Sequence, residues 1–255
     1  MISYYLEVII LSVIQGVTEF IPVSSSAHLI VISNISNFNL NSLEVDVSLH
    51  LGSLLAIVVY FWRDLINFSK NRKKLYLIFF GSMPLIIVGY ALYISNLIYH
   101  LRNLELIAWT TLIFGVLLYF SDKNKTDKVL EKDLSKKDII FIGMLQILSL
   151  IPGVSRSGIN ITAGRLVRYN RVDSAKISFF LSIPALAGAS LLGLKDILKD
   201  PFEFNSIIYL TISISFIFSY LTIKFLLYYL NKFSLKIFVF YRIILAFFLF
   251  TVIYF

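Results

Sequence analysis

The chain has 255 residues, of which 58% are hydrophobic and 15% charged, with a formal net charge of +8 and a mean hydropathy of +0.83. This composition excludes a soluble enzyme built round a large core and points to an integral membrane protein. Cysteine is absent, which removes disulfide and thiolate chemistry, and the placement of the basic excess speaks for membrane orientation and against a nucleic-acid partner.

The first ~15 residues are apolar but lack a basic leading region and run straight into Gln15, so no cleaved signal peptide is read there. Met1 to Ile32 then carries Gln15-Gly-Val-Thr-Glu19-Phe-Ile-Pro22-Val-Ser24-Ser25-Ser26-Ala-His28. Three bilayer-length apolar runs follow, about Asp46 to Trp62, Leu75 to Ile94 and Leu104 to Phe120. Ser121 to Lys137 is charged and reads as a solvated linker. Asp138 to Val172 repeats the first polar wording as Gln146-Ile-Leu-Ser-Leu-Ile-Pro152-Gly153-Val-Ser155-Arg156-Ser157-Gly158. Three more apolar runs close the chain, about Ser174 to Leu194, Ile207 to Leu227 and Ile237 to Phe255.

Four regions hold 18 of the 23 Lys and Arg residues: Arg63 to Lys74, Lys123 to Lys137, Arg165 to Lys176 and Lys224 to Lys236. The intervening loops hold only Arg102, Lys195 and Lys199, and Asn34 to Leu43 holds none. By the positive-inside rule the rich regions are cytoplasmic. Each polar segment must then leave on the side it entered, as a re-entrant hairpin with its tip at Pro22 or Pro152. The expected fold is an all-α polytopic membrane protein with six spans, two re-entrant helical hairpins and both termini outside. Residues 1–120 form a first repeat, 121–137 a cytoplasmic linker and 138–255 a second, inverted repeat, with the site at their interface. Proline breaks the helix at each tip, and non-helical backbone at that depth must be buried in protein or line a wet cavity.

Ionisable groups at membrane depth default to function. Arg156, flanked by hydroxyls before a helix start, is a receptor for phosphate; the competing reading is a structural Arg bonded to backbone carbonyls. Gln15 and Glu19 share a helical face and could hold Mg²⁺ or Ca²⁺ through oxygen. Glu19 could equally act as a general base or pair with Arg156. Ser24, Ser25 and Ser26 lie close before His28, and a hydroxyl beside an imidazole can be a nucleophile. His50 reads as structural and His100 as a surface residue of an outer loop.

These residues closely resemble the undecaprenyl-diphosphatase family, also called the bacitracin-resistance proteins. The first signature, Glu or Gln, three residues, then Glu-Phe-x-Pro-x-Ser-Ser-x-x-His, is met by Gln15, Glu19, Phe20, Pro22, Ser24, Ser25 and His28. The second, Pro-Gly-x-Ser-Arg-Ser-Gly-x-Thr, is met by Pro152, Gly153, Ser155, Arg156, Ser157 and Gly158, with Asn160 in the Thr place; Ala27 stands where Gly is usual. Further matches are Asp46 to Gly52, Tyr60 to Asp64 and Ser178 to Pro184, so the likeness covers nearly the whole chain.

The resemblance implies hydrolysis of a phosphoric anhydride: removal of the terminal phosphate of undecaprenyl diphosphate, which regenerates the monophosphate carrier for cell-wall synthesis. It implies a metal-assisted site in the bacterial plasma (inner) membrane, opening toward the outer face. Read this way, Arg156, Ser155, Ser157, Gly153, Ser24 and Asn160 bind the diphosphate, and Glu19 with Gln15 holds the cation. Ser25 attacks, helped by His28; direct attack by water, with His28 or Glu19 as base, is the alternative. The partners are the polyprenyl diphosphate lipid and the bilayer, with a homodimer left open. A transporter or flippase of the same lipid is the competing class, since inverted repeats are a transporter plan. A different lipid-phosphatase type is disfavoured because no His follows His100.

Overall fold

The structure, a computed structural model, describes residues 2–36, 43–70, 72–95, 97, 101, 103–197 and 206–254. His100, Arg102 and Lys199, together with most of the expected outer segment Asn34 to Leu43, lie outside the described residues. The described residues hold helices and no named strand. The helices are α1 (Ile2–Thr18), α2 (Ser25–Ser36), α3 (Leu43–Tyr60), α4 (Trp62–Lys70), α5 (Arg72–Ile94) and α6 (Leu104–Asp122). They continue with α7 (Leu130–Asp133), α8 (Lys136–Gln146), α9 (Arg156–Leu166), α10 (Arg171–Ile197), α11 (Ser206–Lys232) and α12 (Lys236–Tyr254).

Six of these, α3, α5, α6, α10, α11 and α12, are long and apolar enough to cross a membrane, and they match the six expected runs. The protein is a multi-pass membrane protein. Helix starts follow from their caps: Asn103 accepts from the Glu105 amide at 2.8 Å before α6, and Ser135 from the Asp138 amide at 3.1 Å before α8.

Between apolar helices in lipid, close approach and hydroxyl pairing replace the hydrophobic drive. Helix α3 packs on α11 through Ser53, whose Oγ lies 3.3 Å from Ser215 Oγ and 3.0 Å from Ser219 Oγ; Ser215 also donates to the Leu49 carbonyl at 2.7 Å. Helix α8 packs on α5 with Gly143 directly against the Gly81 backbone, where any side chain would collide. Helix α1 lies on α11, α3 on α10, α5 on α10, and α6 on α12. Phe20, Phe61, Phe179 and Phe180 form an aromatic centre, with the Phe20 ring edge-on to Phe179 at 5.4 Å, which fixes the turn after α1 against α10.

Two expectations need correction. The basic stretch after Phe61 is not a loop, since α4 occupies Trp62–Lys70. Nor is 121–137 a plain solvated linker. It folds onto the chain after α9: Arg165 donates to the Asp122 and Asn124 carbonyls at 3.0 and 2.6 Å, and the Asp127 and Lys128 amides donate to the Arg168 carbonyl at 3.2 Å. Buried Tyr169 donates to Asp138 Oδ2 at 3.1 Å, and Lys128 bridges the same carboxylate at 2.9 Å. Burial first, then the Asp138 charge, pushes the Tyr169 hydroxyl above its ordinary range, so it remains a donor at physiological pH. Asp122, Asp127, Lys128 and Glu131 of this segment are all in ion pairs, with Arg171, Arg168, Asp138 and Lys74 respectively.

Candidate active site

The chain turns at 19–24 between α1 and α2, and at 147–155 between α8 and α9, bringing the two polar segments together. Each turn ends on a serine in the left-handed region, Ser24 with φ 78° and Ser155 with φ 71°. Each serine caps the helix that follows. Ser24 Oγ accepts from the Ala27 amide at 3.4 Å, and Ser155 Oγ from the Gly158 amide at 3.1 Å. Gly153, at φ 90°, needs the freedom of glycine, and a Cβ there would also run into Thr110 Oγ1.

At the centre lies Glu19, whose side chain is 6% exposed. Its Oε1 is paired with Arg156 Nη2, and its Oε2 accepts from Gln15 Nε2 at 3.0 Å and from Ser25 Oγ at 2.6 Å. Arg156 also donates through Nη1 to the Ser182 carbonyl at 3.2 Å, on α10 two residues before Pro184. Both halves of the chain therefore meet in one ion pair. Such a pair is costly to break one-sidedly, because the remaining charge stays buried.

The expected site residues divide. Gln15, Glu19, Ser25 and Arg156 are brought together. His28 is not on Ser25, contrary to expectation: its Nδ1 donates to the Ser24 carbonyl at 2.6 Å, and its Nε2 faces Tyr241 Oη at 2.5 Å with the two rings stacked. With the ring neutral and its proton on Nδ1, Tyr241 must be the donor to Nε2. The turn at 19–24 instead puts the Ser25 hydroxyl on Glu19. Ser24, Ser155, Ser157 and Gly153 shape the turns: Ser157 donates to the Ile21 carbonyl at 2.8 Å, tying the second segment to the first. Asn160 is fully buried and donates to Gln146 Oε1 at 2.6 Å. His50, read as structural, sits against Gln15, whose Nε2 donates to its Nδ1 at 3.1 Å.

Two neighbours on α12 carry no motif. Besides Tyr241 on His28, the fully buried Arg242 donates to five carbonyl oxygens: Thr110, Thr111, Pro22, Gly153 and Val154, at 2.8 to 3.5 Å. Arg242 thus fills the role of an Arg bonded to carbonyls that was weighed for Arg156. Its sequence signal is a lone cation inside an otherwise apolar span.

Residues 8–248 match the family described as bacitracin resistance protein BacA. The chain belongs to this family. It is 56% identical over 255 residues to an undecaprenyl-diphosphatase of Pelagibacter ubique (strain HTCC1062), covering 100% of both chains. It is 39% identical to an undecaprenyl-diphosphatase of Thermodesulfovibrio yellowstonii (strain ATCC 51303 / DSM 11347 / YP87), over 98% of this chain and 97% of the relative. A third relative of the same description, from Erythrobacter litoralis (strain HTCC2594), is 33% identical over 96% and 99%. The BacA-family match contains both polar turns and all the residues named above.

Among the described residues no cluster of three or more His, Asp or Glu side chains is placed to hold a metal ion. A smaller oxygen set is present. Gln15 turns its Nε2 to Glu19 and leaves Oε1 buried with no hydrogen-bond partner, beside a carboxylate. One charged and one orphaned neutral oxygen fit a hard divalent cation that completes its shell with phosphate oxygens and water.

Proposed function

We propose that this chain is an integral membrane phosphatase that removes the terminal phosphate of undecaprenyl diphosphate and releases the monophosphate carrier. The observation that carries this is the Arg156–Glu19–Ser25 chain: a phosphate receptor, a carboxylate and a hydroxyl linked in one hydrogen-bonded line. The names of its full-length relatives supply the substrate.

At rest Arg156 and Glu19 neutralise each other. An entering diphosphate competes for the guanidinium, whose planar fork suits two phosphate oxygens, and frees Glu19. Ser25 Oγ then attacks the terminal phosphorus in line while its proton passes to Glu19 Oε2, 2.6 Å away. The bond from phosphorus to the bridging oxygen breaks, and undecaprenyl monophosphate departs. Its second pKa, near ~6 for a phosphate monoester, lets it leave without a proton. Glu19 then loses that proton to solvent. With the carboxylate restored as base, water attacks the phosphoserine and the phosphorus–Oγ bond breaks. Ser25 Oγ takes the proton back from Glu19, and phosphate is released. Attack by water without a phosphoserine is the second reading; the short Ser25–Glu19 bond favours the first.

Glu19 and Gln15 Oε1 would hold Mg²⁺ or Ca²⁺, which supplies charge neutralisation at the phosphate when bound. His28, fixed by the Ser24 carbonyl and Tyr241, lies on the face of α2 that carries Ser25, three positions along.

The architecture we propose is an inverted repeat of 1–120 and 138–255 joined by 121–137, with α1–α2 and α8–α9 as re-entrant hairpins and both termini outside. Exchange of α1 with α8, α3 with α10, α5 with α11 and α6 with α12 supports it. That exchange carries α1 on α11 to α8 on α5, and α3 on α11 to α10 on α5; it leaves α3 on α10 and α6 on α12 in place. Ser24 and Ser155, with the same unusual backbone, occupy equivalent places. In this arrangement the site opens to the outer face of the plasma membrane while the isoprenoid stays in lipid. The same symmetry would suit a carrier of the lipid. Phosphate release from a C55 diphosphate by purified protein, with and without chelator, separates enzyme from carrier.

A further inference from the structure

Where α6 ends and α12 begins, two cavities adjoin and share Lys236. One is polar, about 790 Å³, with Lys123, Arg171, Asn124, Asn231 and Ser234 in its walls. The other, about 360 Å³, is a groove along α6 and α12 lined by apolar side chains such as Val116, Phe240 and Ile243. Lys123 marks the same border, because its Nζ lies 4.2 Å over the Tyr119 ring and 5.6 Å over Phe120, both groove residues.

The acids in the polar cavity are already engaged. Asp122 accepts from Arg171 Nε and Nη2 at 2.6 and 3.1 Å and from the Leu235 amide at 3.1 Å. Asp173 accepts from the Leu130 amide at 3.1 Å and from Asn170 Nδ2 at 2.7 Å. Lys123 and Lys236 have no carboxylate partner among the described residues. Lys236 is moreover the first residue of α12, where the positive end of the helix dipole disfavours a cation. An anion held between the two lysines offsets both.

We infer that the paired cavities hold an anionic glycerophospholipid of the surrounding bilayer. Its phosphate lies between Lys123 and Lys236, its headgroup in the polar cavity and an acyl chain along the α6–α12 groove. Basic pockets at the ends of membrane helices are suited to such headgroups. The polar cavity is too roomy for a bare phosphate, and its amides and hydroxyl suit a polyhydroxylated headgroup such as glycerol. A polyprenyl monophosphate carries nothing beyond its phosphate to fill the polar cavity or to meet Asn124, Asn231 and Ser234. Because the lipid bridges α6 and α12, its binding stabilises the folded protein by mass action.

Three proteins delipidated in neutral detergent test this: the wild type, K123Q/K236Q, and the charge-matched K132Q/K137Q. Each is titrated with short-chain phosphatidylglycerol, phosphatidylcholine of equal chain length, and polyprenyl monophosphate, read by native mass spectrometry and thermal unfolding. Phosphatidylglycerol should bind and raise Tm in the wild type, with affinity weakened roughly thirty-fold in K123Q/K236Q and within about twofold of wild type in K132Q/K137Q. The single K236Q should lose roughly five-fold, and all variants should release phosphate in plain detergent at the wild-type rate. Equal loss in the two double variants, or equal binding of phosphatidylcholine, would reduce the site to general surface charge and overturn the inference. Tighter, Lys236-dependent binding of polyprenyl monophosphate would overturn it in favour of the reaction product.

Discussion

Glu19 holds three donors at once, Arg156, Gln15 and Ser25, so each substitution around it reports on a different step. Arg156→Lys keeps the charge but loses the fork; kcat should fall about 10²- to 10³-fold in protein that still inserts and unfolds cooperatively. Ser25→Ala should abolish turnover and the phosphoenzyme trapped by acid quench of radiolabelled substrate. Substantial release by Ser25→Ala would move the attack to water. Tyr241→Phe removes the donor to His28 Nε2 and leaves that ring less restrained; a lower kcat with unchanged KM is expected, and no change in either would make the contact incidental. Glu19 and Arg156 were legible in the sequence because ionisable groups in an oily chain stand out. That Ser25 lies on Glu19 and not on His28 was not, since the choice depends on how 19–24 turns. Tyr241 was hidden among 15 tyrosines, and nothing marks the one that meets an imidazole.

At the level of elements, the site is held by α12 as much as by the two polar turns. Arg242→Met would leave five carbonyls without their donor, and a loss of roughly 3 kcal/mol or more is expected from chemical unfolding in detergent. Wild-type stability in that variant would show that the carbonyls find other partners. Gly153→Ala meets both the φ of 90° and Thr110 Oγ1, and should also be destabilising. The six apolar runs were readable because bilayer thickness fixes helix length. The folding of 121–137 was not, because its acids signal solvent when read alone, and Asp127 and Asp122 meet Arg168 and Arg171 only after α9 and α10 are in place.

On the scale of the whole molecule, the twofold pattern of helix pairing and the charge bias imply opposite sides for the 121–137 segment and the end of α10. Single cysteines at Lys132 and Lys195 should therefore react with impermeant reagent from opposite faces; labelling from the same face would sink the inverted arrangement. In the sequence the proposed symmetry rests on the recurrence of a Gln, then Ile-Pro, then hydroxyls, whereas the pairing of α3 with α11 lies in small hydroxyls that no pattern announces. The most direct measurement of what the molecule does is phosphate release from undecaprenyl diphosphate by the purified wild type and by Arg156→Lys. Steady release by the wild type, reduced at least about 100-fold in the variant, is the expected result. No release by folded wild type supplied with divalent cation, or equal release by both proteins, would contradict a phosphatase site built on Arg156, Glu19 and Ser25.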